Sequence, residues 1–137
     1  MSVLLVLVEF LLVRRPIAHQ SKDATKRRLW QEFVAIEARK AWGAQAAIDT
    51  PCQLTLVYFC GERPADIDNI IKPIQDGLNG TVYVGDGYVT DVDSHRRPLT
   101  EAFDLISLPL LVLSALSEGK EFVYVRVSNS QAIESYL

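Results

Sequence analysis

Between Asp66 and Asp91 the chain carries five carboxylates, Asp66, Asp68, Asp76, Asp86 and Asp91, around one lysine, Lys72. Like charges packed this densely repel, so any fold that gathers them must place something positive among them. Hydrated Mg²⁺ is the expected ion, with Mn²⁺ as the alternative, because hard cations prefer oxygen ligands. Lys72 suggests chemistry on a phosphate rather than passive storage of metal.

At 137 residues the chain is read as one domain, 1–137, with enough apolar sequence to bury a core. Charge is uneven: the first forty residues carry +4 and the remainder −7, for a total of −3. A basic N-terminal third facing an acidic, metal-neutralised centre would serve a nucleic-acid enzyme despite the acidic total. The apolar run Val3–Val13 is expected to be a buried strand. No basic residue precedes it, Glu9 interrupts it, Arg14 and Arg15 follow it, and it is too short to span a bilayer as a helix. A cytoplasmic protein with no membrane contact is the expectation. Cys52 and Cys60 fall in one strand-like segment, roughly 26 Å apart if extended. That is far beyond disulfide reach, and two cysteines are too few for zinc.

Local patterns predict an α+β domain, a small mixed β-sheet with helices packed against it. Ser21 is placed to cap a helix from about Lys22 to Gly43, with Leu29, Trp30, Phe33, Ile36 and Ala41 as its apolar face and Lys26, Arg27, Arg39 and Lys40 outward. Cys52–Cys60 alternates as a strand, and Asp68–Leu78 reads as a short helix. Its Pro73 is costly in a helix interior, so a start just before that proline is preferred. Thr81–Val84 and Tyr88–Arg97 flank Gly85-Asp86-Gly87 as two strand segments joined by a tight turn. Asp104–Leu116 is expected to be a helix broken at Pro109, Glu121–Val127 a last strand, and the tail a loose helical turn.

In an extended approach segment Asp66 and Asp68 share a face and can reach one metal, while a helix would stack Asp68, Lys72 and Asp76. Asp86 and Asp91 come from the next turn and strand. Metal-bound water is a ready nucleophile for a phosphodiester, and Lys72 would oppose developing phosphate charge. Asn69 can steady a ligand. The plainer reading makes Asp66 or Asp68 a helix cap and Lys72 a surface partner of Asp68 and Asp76, though capping asks for neither Asp86 nor Asp91. A structural cation without catalysis is a third reading.

Asp66-Ile67-Asp68-Asn69-Ile70-Ile71-Lys72, then Asp76-Gly77-Leu78-Asn79, Val84-Gly85-Asp86 and Val89-Thr90-Asp91, resembles the RusA family of Holliday junction resolvases. That family's pattern is D-x-D-N-x-x-K, a short helix, an acidic turn and a strand ending in Asp. The strong match covers Asp66–Asp91, with similar element order from Val3 to Val127. The resemblance implies a Mg²⁺-dependent endonuclease that nicks four-way DNA, and an α+β homodimer, whose two sites suit a two-fold junction. It assigns the metal-binding aspartates to Asp66, Asp68 and Asp86 and the catalytic lysine to Lys72, with Asp91 added here as a further metal ligand and Asp76 as support. The chain departs from the family in having Asp86 as the sole acid of its turn, a negative net charge, and an apparent addition at Leu99–Gly119.

Arg14, Arg15, Lys22, Lys26, Arg27 and Arg28 are candidates for contact with the DNA backbone, against the reading of solvated surface charge. Trp30 and Trp42 are read as core rather than base-stacking residues. His95 is read as a surface histidine, against the alternative of a phosphate contact; Asp93 is read as solvent-facing, and His19 has no assignable role. The expected function is resolution of Holliday junctions in recombination and repair. The alternatives are a metal-dependent nuclease or phosphohydrolase with another substrate, and a non-catalytic protein that binds DNA junctions or cations.

Overall fold

The computed structural model describes residues 3–137, so residues 1 and 2 of the expected domain lie outside the described residues. In chain order the elements are β1 (Val6–Leu12), α1 (Ala24–Trp42), β2 (Cys52–Cys60), α2 (Ile71–Leu78), β3 (Val89–Pro98), α3 (Leu110–Glu118) and β4 (Phe122–Asn129). The four strands form one mixed sheet in the order β1-β4-β2-β3, antiparallel except for the parallel pair β2–β3. This is the α+β architecture expected from sequence. Among the described residues no helix is long and apolar enough to cross a membrane.

β2 is buried on both faces, as a central strand must be. Leu54, Leu56 and Tyr58 pack with Phe10 and Leu12 of β1 and Val123 and Val125 of β4 under α1 and α2. On the opposite face Phe59, Phe122 and Tyr124 pack against Val112 and Ala115 of α3. The 99–119 segment therefore covers the second face of the sheet. Cys52 and Cys60 are both buried free thiols, and burial raises both pKa values.

Several local expectations are corrected. α1 buries Trp30, Val34, Ala38 and Trp42, a strict four-residue stripe, while Leu29 and Ile36 stay half exposed and Ala41 faces solvent. The seam lies where small Ala38 lets the helix approach the sheet, not where the bulkiest aliphatics fall. Asp23 caps this helix, its carboxylate accepting from the Lys26 N–H at 3.0 Å, so Ser21 is one residue pair too early. Residues 81–84 are no strand: Tyr83 makes isolated bridges to Ile48 and Asn79. Asp86–Tyr88 is a 3₁₀ turn rather than a hairpin, and it leads into β3, which pairs parallel with β2. Pro73 is the third residue of α2, where its missing N–H costs nothing, and Pro109 separates a 3₁₀ turn at Leu105–Ser107 from α3.

Candidate active site

The acidic motif sits in the connection from β2 to α2, and this connection is fastened by its main chain. The Gly61 N–H donates to Glu121 Oε1 at 2.7 Å. Arg15 donates to the Glu62 carbonyl at 2.9 Å and also to that of Arg63. Arg63 holds the left-handed φ of 52° that bends the chain here. Further along, Arg96 donates to the Ala65 carbonyl at 3.0 Å, Ser94 Oγ to that of Ile67 at 2.7 Å, and the His19 N–H to that of Asn69 at 2.9 Å.

Glu121 is the keystone of the first of these anchors. It also accepts from Tyr58 at 2.6 Å and pairs with Arg15 at 3.0 Å. Burial works against its charge, but bonds from Tyr58, Gly61 and Arg15 outweigh that and hold its pKa below the ordinary carboxylate value. Burial, and then the bond to Glu121, push the Tyr58 hydroxyl up.

With the backbone so held, the side chains of the motif are left outward. Asp66 is exposed and meets Arg96 at 3.5 Å. Asp68 is exposed, and its carboxylate has no hydrogen bond or ion pair among the described residues, although its main-chain carbonyl accepts from the Ile71 N–H at 3.4 Å. Neither aspartate caps α2, whose N-cap is Ile70 with no side-chain bond. The helix begins too late for Asp68 to stack with Lys72. Lys72 instead bridges Asp76 at 3.0 Å and Asp86 at 3.2 Å, joining α2 to the turn before β3. Asp76 first and Asp86 second raise its pKa, so it stands as a cation at neutral pH.

The donors have the right chemistry for a hard divalent ion, being carboxylates alone. They are not gathered: among the described residues no three of His, Cys, Asp and Glu stand close enough to hold one ion. Asp86 is turned to Lys72 and Asp66 to Arg96. Asp91 is not brought to Lys72 at all. It pairs in register with Gln53 of β2, on the face away from α1 and α2, and accepts from Thr90 at 2.8 Å.

The six basic candidates divide. Arg15 is engaged by Glu121 and two carbonyls, and Arg27 donates to the Ser21 carbonyl. The Arg14 guanidinium stacks 3.9 Å from the centre of Phe33. Lys22, Lys26 and Arg28 remain exposed. Trp30 and Trp42 are both core residues, as expected.

Sequence reading missed Ser94, Arg96 and Glu121 as the residues that hold the loop. Ser94 and Arg96 stand two apart on β3 and so face the same way, a period-two signal present in the sequence. Glu121 offers no such signal, because its partners lie 60 to 106 positions away. No curated protein matches the chain. Residues 13–101, about two thirds of it, match the family model described as endodeoxyribonuclease RusA. That span contains the anchored acidic loop, Lys72 and Asp86, and the chain belongs to the RusA family of endodeoxyribonucleases.

Proposed function

We propose that the protein is a divalent-cation-dependent endonuclease that resolves four-way DNA junctions in recombination and repair. The observation that carries this reading is the anchored Asp66–Asp68 loop, with two exposed carboxylates, one unpaired and the other held only by a surface contact with Arg96, four to six positions before a lysine shared by two acids. Family membership supplies the reaction class.

Asp66, Asp68 and Asp86 would hold Mg²⁺, or Mn²⁺ in its place. Such an ion supplies an activated water and offsets charge on the attacking and leaving oxygens. Lys72, fixed between Asp76 and Asp86, is the cation that meets the scissile phosphate, and its raised pKa suits it to charge stabilisation rather than proton abstraction. Asp86 must leave Lys72 to become a ligand, while Asp76 keeps the lysine in place. Arg96 and Ser94 keep the loop at a fixed height above β3. A homodimer would present two such sites to a two-fold junction.

The test uses labelled four-way junction, fork and linear duplex, each with Mg²⁺ and with chelator, beside Asp68→Asn. Paired, symmetric, Mg²⁺-dependent nicks in the junction, absent from the variant, are expected. Equal cutting of linear duplex would replace this reading with that of a general nuclease. Binding without any nick would leave a junction-binding protein.

A further inference from the structure

We infer that the groove between α1 and α2 seats the phosphodiester backbone of a DNA strand as it leaves the cleavage site, an assignment that rests on the nuclease reading above. The groove is open, about 460 Å³, and lined by Arg28, Gln31, Arg39, Asp76, Asn79 and Thr81 among others. Its wall on α1 is one stripe: residues 24, 28, 31, 35 and 39 recur at helical spacing on the same side. Gly77 lines it from α2, and beneath the groove that glycine packs so closely on the buried Val34 that a Cβ on it would lie 2.4 Å from Val34 Cγ1.

Three properties fit a phosphate backbone. The wall offers arginines that the fold does not need. Arg28 has only an exposed contact with Glu32 at 3.7 Å, and Arg39 has no ion pair among the described residues. Arg27 also lines the groove but is committed to the Ser21 carbonyl, as Arg14 and Arg15 outside it are to a ring and a carboxylate. Eleven residues separate Arg28 from Arg39, roughly 16 Å along the helix, so the two forks reach phosphates several nucleotides apart. Finally, Asp76 lies on both the groove and the Lys72 bridge, so the groove opens at the proposed site of cutting. The acids Glu32 and Asp76 temper the groove's charge; Gln31, Asn79 and Thr81 add neutral groups for phosphate or sugar.

The experiment is a salt titration of four-way-junction binding by fluorescence anisotropy. It is run in chelator and, on an Asp68→Asn background, in Mg²⁺. Arg28→Gln with Arg39→Gln is compared with wild type and with Lys40→Gln plus Lys120→Gln, which removes the same charge elsewhere. Two lost phosphate contacts reduce the slope of log K against log[salt] by about 1.8. The groove pair is expected to show that loss and a tenfold or greater fall in affinity at moderate salt, with its melting temperature unchanged. The control pair keeps the wild-type slope. A groove variant that retains slope and affinity while wild type binds and cuts junctions overturns this assignment and leaves the nuclease reading standing. Wild type that binds no junction overturns the nuclease reading and this assignment with it.

Discussion

Lys72 holds two acids of unequal standing. Asp76 lies four residues on in the same helix and is its natural partner, whereas Asp86 reaches it from another element and is the acid a metal would claim. On the proposed mechanism lysine and metal would compete for one carboxylate, which sets Lys72→Met apart from a variant that merely loses a ligand. Cleavage is expected to fall at least about 100-fold, the scale of losing a charge-stabilising donor. Mn²⁺ affinity, measured by calorimetry on the protein alone, is expected to hold or rise. A parallel loss of Mn²⁺ affinity would show that the lysine supports the metal rather than competing with it. The aspartates and the lysine were legible in the sequence because their spacing is local. The pairing of Lys72 with Asp86 was not, since it needs the turn at Asp86 folded back on α2.

At the scale of elements, the decisive contact is that between α1 and α2. Gly77 has no side chain because Val34 occupies the space where one would be: a Cβ would lie 2.4 and 2.8 Å from Val34 Cγ1 and Cβ. Alanine at an unobstructed helix position would gain up to about 1 kcal/mol over glycine. Here overpacking of about 1–3 kcal/mol dominates. Gly77→Ala should therefore lower stability in denaturant titration, and Val34→Ala in the same chain should recover part of the loss. Strict additivity of the two changes would mean that they do not share this space. Sequence periodicity found α1 and placed Trp30 and Phe33 correctly on its inner side, but it added the exposed Leu29 and Ile36 and passed over Ala38, because Ala38 and Gly77 act by being small and hydrophobic patterns reward size. The hairpin expected around Gly85–Gly87 failed for a related reason. Two apolar stretches flanking glycines look the same whether they pair with each other or, as here, one bridges Ile48 and the other adds to β2 in parallel.

For the whole molecule, Glu121 at the entry to β4 ties β2, the β1–α1 connection and the acidic loop into one unit. Its pKa is lowered in the folded state from an ordinary value of 4.5. The unfolded chain therefore binds this proton first as pH falls. The stabilisation is complete above about pH 4.5 and is lost as pH drops through the folded value. Melts between pH 6 and pH 3 should show a steep decline in wild type and a shallower one in Glu121→Gln, which retains the acceptor oxygen but not the charge. Glu121→Ala should cost about 2 kcal/mol at neutral pH, the scale of charge-assisted bonds lost with partners left behind. An unchanged acid limb in Glu121→Gln would assign acid sensitivity to other carboxylates. Glu121 lies beyond residues 13–101, so a piece of chain outside the family match steadies the loop inside it.

Because the loop from Gly61 to Asn69 is gripped by its amides and carbonyls, its side chains can be exchanged without loosening the grip. Asp68→Asn should then be as well folded as the parent. On the proposed mechanism a protein of that kind would be unable to cut yet correctly shaped, and so would serve as a capture reagent. Immobilised, it could retrieve from fragmented genomic DNA whichever structures the native protein recognises, and so reveal its substrate without prior choice of one.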